Sequence, residues 1–500
     1  MKKRLSKVFS NPLSFTGLII AVFNTGFIIF LSVVEVFSQR AHPYADLVIW
    51  FVLPVLILAG MVLIIVGIRR ERRRETAGGA GERRLPVVDF NNPAHRKNVT
   101  RVGAAFLLLS LFYAFAGYKT YEFTESETFC GQMCHQVMGP EMRSYSYAVH
   151  AEIACADCHV GPGAKYFMFY KLKGTRQLYD VLANRYPRPI PTPVADLRPS
   201  QDVCEHCHGP KYQINQKLES RAYFLMDKEN TPKTINLLLR MGSAGMTADR
   251  PLKMHWHSST TEEIVYTAMD RERTVIPWIR VKRLDGKVLV YRSTDTEVTD
   301  AGLASAEKRK MDCVDCHNRS GHPYRPPEVI MNALLSTKVI DPALPEVKRV
   351  AVEVLEGEYA SRDEARESIG ETIREFYRQT YPAVASGNEA ALTGAIKAIQ
   401  EAYERNYDPH MQVSWKNFPD NQGHRFSPGC FRCHDGKHQN EDGKILSRDC
   451  SLCHLLIERV SEISTGGQTK AEFQVMDYPH PTDIGDEWKE TLCHECHGAE

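Results

Sequence analysis

Three apolar runs, 15–34, 47–68 and 102–118, open the chain and are separated by polar segments. As helices, each is long enough to cross about 30 Å of hydrocarbon, the third only just. Lys2, Lys3, Arg4 and Lys7 precede the first run, as in a signal peptide. Its apolar stretch exceeds a normal signal core and no small-x-small cleavage site follows, so it reads as a retained anchor. Further on, 274–293 alternates apolar and polar residues about Asp285-Gly286, the pattern of a β-hairpin. Residues 345–407 are rich in Ala, Glu and Arg with helical periodicity, which predicts two or three helices.

With 43% apolar and 25% charged residues the chain has the composition of a folded protein, and 500 residues predict two or three units. The net charge of +1 conceals an asymmetry: 1–101 holds 15 Lys/Arg against 6 Asp/Glu, and the remainder 47 against 55. A mildly acidic bulk argues against a nucleic-acid partner. Four basic residues precede the first run, only Arg40 follows it, and ten lie in 69–101. That bias puts the N-terminus and the 69–101 loop in the cytoplasm, so the third span delivers everything after residue 118 to the outer, periplasmic side. Around 77–81 the loop reads as a solvated linker.

All fourteen cysteines fall into close pairs followed at once by histidine. The pairs are Cys130/Cys134, Cys155/Cys158, Cys204/Cys207, Cys313/Cys316, Cys430/Cys433, Cys450/Cys453 and Cys493/Cys496, followed by His135, His159, His208, His317, His434, His454 and His497. Two thiols that add to haem vinyls and an imidazole that reaches the iron are the attachment chemistry of c-type haem. Seven repeats that use every cysteine predict seven covalently bound haem c groups and leave little room for zinc ligation. Attachment takes place outside the cytoplasm, which agrees with the charge bias. The first site departs by having three residues between its cysteines. No histidine lies within the apolar runs, so they offer no ligands for haem b.

Of 19 histidines, seven are proximal, His42 and His95 lie on the membrane part, and His206 and His494 lie inside attachment motifs. Eight remain for the sixth coordination position. The selection is His150, His257, His322, His424, His438 and His480, with His255 a near-equal competitor in MHWH and His410 also spare. Two imidazoles close an iron and make its haem a low-potential relay; a methionine raises the potential. Met133 and Met138 flank the first motif, with core packing as their alternative role.

These patterns predict a mainly α protein with large loop content: three transmembrane helices plus a periplasmic multihaem cytochrome c domain with a small β-hairpin insert. The predicted division is a membrane anchor at 1–118, a unit with haems one to three at 119–210, an insert with the hairpin at 211–310, and haems four to seven at 311–500.

The segment FCGQMCHQVM, His150 shortly before CADCHV, and a Lys-rich stretch running to Asp180 resemble the NapC/NirT family of membrane-anchored quinol dehydrogenases, over about a quarter of the chain. The resemblance implies menaquinol oxidation at the outer membrane surface, with electrons passed to periplasmic c-type cytochromes in anaerobic respiration. It also implies a lysine and an aspartate after the second motif that handle the quinol. The segment AKYFMFYKLKGTRQLYD offers Lys165, Lys171, Lys173 and Asp180, with Lys173 and Asp180 best spaced; interfacial snorkelling is the plain alternative for the lysines. Here Met138 lies three positions after His135, one more than in the family pattern, and two spans are extra. Two rival readings are a passive relay docked to a separate quinol oxidase and a catalytic multihaem reductase. The second needs an open haem, and no motif here replaces the proximal histidine with lysine.

Overall fold

The structure, a computed structural model, describes residues 11–38, 53–76, 89–132, 135–161, 164–194, 197–208, 216–242, 254–258, 262–465, 468–478 and 480–498. The chain divides into two compact units, Met1–Met133 with Ala154–Asp180, and Cys134–Ile153 with Val181–Glu500.

In the first unit, α1 (Pro12–Ser38) and α2 (Leu53–Thr76) pack side by side. Within them, Pro12–Ile29 and Leu53–Glu71 are long and apolar enough to cross a membrane, with mean hydropathies of 1.8 and 2.1. Glycines set their closeness: a Cβ on Gly17 would lie 2.5 Å from the Gly60 carbonyl oxygen, and one on Gly60 2.7 Å from that of Gly17. Small residues permit such an approach between membrane helices, and polar side chains add to it. Asn11 Nδ2 donates to the Gly67 carbonyl at 2.8 Å and Ser14 Oγ to that of Ile64 at 3.3 Å. Ile19, Phe23, Leu58 and Val62 face outward, the arrangement lipid requires. Residues 47–52 of the second predicted run lie outside the described residues. The third run falls within α3 (Pro93–Glu125), helical throughout but with several side chains outside the described set. Asn92 caps α3 by accepting from the Ala94 N–H at 2.9 Å, and Pro93 occupies its first turn.

The second unit has two antiparallel sheets. One runs β1 (Lys217–Phe224), β2 (Pro232–Leu239), β8 (His454–Thr465), β9 (Gln468–Val475). The other runs β6 (Arg309–Lys310), β3 (Glu263–Thr267), β4 (Trp278–Lys282), β5 (Val288–Ser293), β7 (His438–Asn440). The expected hairpin is β4–β5, turning at Gly286 with φ +81°, a backbone setting that suits glycine. It is one part of a five-stranded sheet, so the β content exceeds the small insert expected.

Residues 345–407 fold into Val347–Leu355, Arg362–Thr380, Pro382–Gly387 and Glu389–Asn406. Ala365, Ile369, Ile373 and Tyr377 recur every fourth position and are buried, so one face of Arg362–Thr380 meets the core. Ser361 Oγ caps that helix by accepting from the Glu364 N–H at 3.1 Å. With Met331, Leu335, Leu355 and Ile399 these side chains form a core without cysteines, which stands without help from haem.

Candidate haem-binding sites

Attachment needs two sulfurs and an imidazole on one side of a short turn, and helical spacing i, i+3, i+4 provides that. Motifs two, four and seven lie on the one-turn helices Cys155–His159, Cys313–Cys316 and Cys493–His497, and motif three ends Ser200–His208. Motifs five and six lie on the 3₁₀ turns Gly429–Arg432 and Cys450–Leu452. The irregular first motif starts in a π-helical turn, Thr128–Gln132, whose wider pitch accommodates an extra residue. Met133, Cys134 and the His135 side chain lie outside the described residues. No disulfide forms among the described cysteines.

The attachment cysteines do not share one environment. Cys158, Cys207 and Cys496, the second cysteines of motifs two, three and seven, are exposed, as is Cys450, the first of motif six; the other described cysteines are half-buried. The reason is local. In motifs two, three and seven the second cysteine stands in the last turn of a helix that ends at the motif histidine, nearer the helix end than the first cysteine. Exposure does not remove these sulfurs from the attachment set, since a thiol that adds to a vinyl at a porphyrin edge has to be reachable.

Five attachment-motif histidines each face a histidine from elsewhere in the chain. Ring centroids are 5.9 Å apart for His208 and His150, 6.5 Å for His317 and His255, and 5.9 Å for His434 and His257. For His454 with His424 and for His497 with His480 they are 6.1 Å apart. Two imidazoles bonded to one metal at about 2.0 Å, each centroid about 1.2 Å behind its nitrogen, sit roughly 6.4 Å apart. The five gaps therefore match the span across a six-coordinate iron. Zinc needs three or four converging donors, and no such cluster of His, Cys, Asp and Glu occurs among the described residues.

Backbone carbonyls hold the outer ring nitrogens, the usual support of a metal-bound imidazole. Nδ1 lies against Ser320 O in His150 (3.2 Å), Gly242 O in His255 (3.1 Å), Met254 O in His257 (2.7 Å) and Thr482 O in His480 (2.7 Å). A donating Nδ1–H leaves Nε2 with a lone pair for iron. Burial lowers His257 and His424 to about 4, so both rings are neutral at physiological pH.

The remaining selected histidines divide. His322 has the same signature, Nδ1 against Glu141 O at 3.1 Å. His438 does not: it is 1% exposed, with Nδ1 on Asp435 Oδ1 at 2.9 Å and Nε2 on Ile276 O at 2.7 Å. Both its nitrogens are engaged in tying β7 to the sheet, and the structure sets His255, the near-equal competitor, opposite His317 instead. The i, i+2 spacing in MHWH puts two imidazoles on one turn, His255 facing His317 and His257 facing His434. Met138 packs against the buried cluster that contains Val137, Met411 and Phe418.

The sulfurs also meet; here they are thiols that stand in for thioether sulfurs on porphyrin edges. Cys130 and Cys155 hydrogen-bond each other, as do Cys204 and Cys313. Burial pushes Cys316 up to about 12 and Cys453 up to about 11, and the neighbouring Cys430 adds to both. Burial likewise raises Cys493, with Cys450 contributing.

Between motifs four and five lies a buried ionic network. Asp315, with no exposed side-chain surface, accepts from Tyr266 Oη at 2.6 Å, Arg309 Nε at 2.9 Å and Arg273 Nη1 at 3.2 Å. Arg432, 7% exposed, donates to the carbonyls of Asp315 (2.6 Å), Gly429 (2.7 Å) and Arg273 (3.0 Å).

The quinol candidates lie on the helix Ala164–Leu182. Lys171 is fastened: its Nζ donates to Thr124 O at 2.6 Å, pairs with Glu125 Oε1 at 2.7 Å and sits 5.4 Å from the centre of the Phe129 ring. A cation there complements the C-terminal end of α3. Lys173 and Asp180 are half-buried and seven positions apart, on one helical face. The Lys165 side chain lies outside the described residues.

Residues 93–189 match the N-terminal region of the NapC/NirT cytochrome c family. Over 492 residues the chain is 39% identical to the cytochrome c-type protein ImcH of Geobacter sulfurreducens, covering 98% of this chain and 95% of that one. No solved structure matches.

Proposed function

From the premise that the chain belongs to the NapC/NirT cytochrome c family, with a full-length relative in ImcH, we propose that it is a three-span menaquinol dehydrogenase. It holds seven haem c groups and passes electrons from the quinone pool of the bacterial inner membrane to periplasmic c-type cytochromes. The observation that carries electron transfer over catalysis is the set of five imidazole pairs, each made of one motif histidine and one outside histidine. Such closed sites leave no coordination position for a substrate. His322 supplies a further sixth ligand, and its Nδ1–carbonyl contact supports that role.

Bound haem contributes one-electron acceptance; the chain's residues contribute proton handling and position. Menaquinol oxidation breaks two O–H bonds and releases two electrons and two protons. Asp180 takes one proton from a quinol hydroxyl and the second is released to the outer aqueous phase as the two electrons leave one at a time, while the Lys173 ammonium donates a hydrogen bond to the quinol oxygen and holds it. Lys171 keeps Ala164–Leu182 fixed to the end of α3.

Stopped-flow mixing of the purified detergent-solubilised protein with a menaquinol analogue tests this. Rapid haem reduction blocked by a quinol-site inhibitor is expected. Asp180→Asn should slow it roughly 10²-fold, the lower end of a general base's contribution, while dithionite still reduces every haem. An unchanged rate removes Asp180 from the mechanism, and an unreduced native protein makes the chain a relay for a separate quinol oxidase.

A further inference from the structure

We propose that the haems of motifs three to seven form one unbranched wire whose order in space is their order in the sequence, with haem five at its midpoint and haem seven at its end. Every sulfur contact described above joins motifs adjacent in the chain. Cys204 meets Cys313, Cys430 neighbours both Cys316 and Cys453, and Cys450 neighbours Cys493. Since each sulfur bonds a porphyrin edge, neighbouring sulfurs bring successive porphyrin edges together.

Independent contacts fix the same order. The Cys313 N–H donates to Ser200 Oγ at 3.2 Å, joining the helices of motifs three and four. Arg432, inside motif five, donates to the Asp315 carbonyl inside motif four. One 3₁₀ turn, Met254–Ser258, carries His255 for haem four and His257 for haem five. The ring of His424, opposite His454 at haem six, lies 4.5 Å from Phe431 within motif five. Arg448 Nη1 reaches the Glu490 carbonyl at 3.2 Å, tying the segment before motif six to that before motif seven. Among the sulfur contacts of the described residues, motif five is thus the link between motifs three and four and motifs six and seven.

The test removes that bridge with Cys430→Ala/Cys433→Ala, haem loss being verified by mass. Electron paramagnetic resonance of the fully oxidised variant is the readout that needs no quinol. The signals of haems four and six should change as each loses its magnetic neighbour, while haem seven, with ligand planes 32° apart, keeps its own. In quinol-driven reduction, the fast phase should lose the absorbance of haems five, six and seven together, whereas Cys493→Ala/Cys496→Ala should subtract haem seven alone. His257→Met, which keeps haem five attached, guards against misfolding and should slow reduction of haems six and seven only. A double variant whose remaining haems are all reduced in one fast phase, or whose haem-six signal is unchanged, would overturn the wire. A native protein unreduced by quinol would instead count against the quinol reading and leave the resonance result to decide the order.

Discussion

Replacing His257 with methionine should turn haem five from imidazole–imidazole into imidazole–thioether ligation and raise its potential by a sizeable fraction of the roughly 0.8 V that axial ligands span. His257 and His434 have centroids 5.9 Å apart, and Met254 O orients the His257 ring through Nδ1 at 2.7 Å. A methionine at the same position keeps a flexible soft donor within reach. The expected signature is the far-red charge-transfer band of methionine-ligated ferric haem, with one of the low-potential haems displaced upward in a redox titration. His438→Gln supplies the contrast: all haems should stay low-spin, because both His438 nitrogens serve Asp435 and Ile276. Loss of a low-spin haem in the His438 variant would return that residue to the ligand set.

The difference between His255 and His438 shows where sequence reading ends. Attachment motifs are local: two sulfurs and a histidine within one turn are legible from spacing, and so is the apolar length of α1 and α2. What spacing does not tell is which sulfur is exposed, as Cys158, Cys207 and Cys496 are, because that depends on what packs over the turn. The histidines that face the motif imidazoles come from far along the chain, as His150 does for His208 across fifty-eight positions or His257 for His434, and proximity to a motif is a poor guide to them. His438 lies four residues from His434 yet points into the sheet, whereas His257 is remote and faces it. The sheets were hidden for the same reason. The pairing of β2 with β8 joins Leu239 to His454, and β5 with β7 joins Ser293 to His438, across gaps no turn announces, whereas β4–β5 had Asp285-Gly286 and β8–β9 had the unread Gly466-Gly467 between its strands. The helices of 345–407 were legible because their core is made by their own apolar periodicity.

Asp315→Ala should be the most destabilising single change near the haems, by about 3–5 kcal/mol, the cost of removing one partner from a buried ion pair. Four donors converge on this carboxylate: Tyr266, Arg309, Arg273, and the Asp312 N–H at 2.8 Å, which closes a capping box on the helix Cys313–Cys316. Burial and the Asp315 charge together raise the Tyr266 hydroxyl far above its usual range, so it donates at any physiological pH. Burial disfavours the Arg309 charge, but Asp315 and Asp312 outweigh it and hold the guanidinium charged. Without Asp315, Arg273 loses its carboxylate and Arg309 keeps only Asp312, at 2.9 Å. The melting transition should fall by roughly 5 °C, since an unfolding entropy of about 2.1 cal/mol/K per residue gives about 1.4 °C per kcal/mol for a unit of this size. Asp315→Asn keeps the volume and the neutral hydrogen bonds, so its fall should be clearly smaller. The electrostatic effect has a definite sign: loss of a negative charge beside motif four leaves Arg273, Arg309 and Arg432 less compensated and disfavours the ferric state. At a separation of about 10 Å and an effective dielectric of about 20, one charge contributes about 1.7 kcal/mol, roughly 70 mV upward for a one-electron couple. Differential scanning calorimetry and a redox titration of the asparagine variant separate the two effects. A potential that stays fixed or falls while the protein remains folded would mean that the network serves the attachment turn alone and leaves the haem's energy untouched.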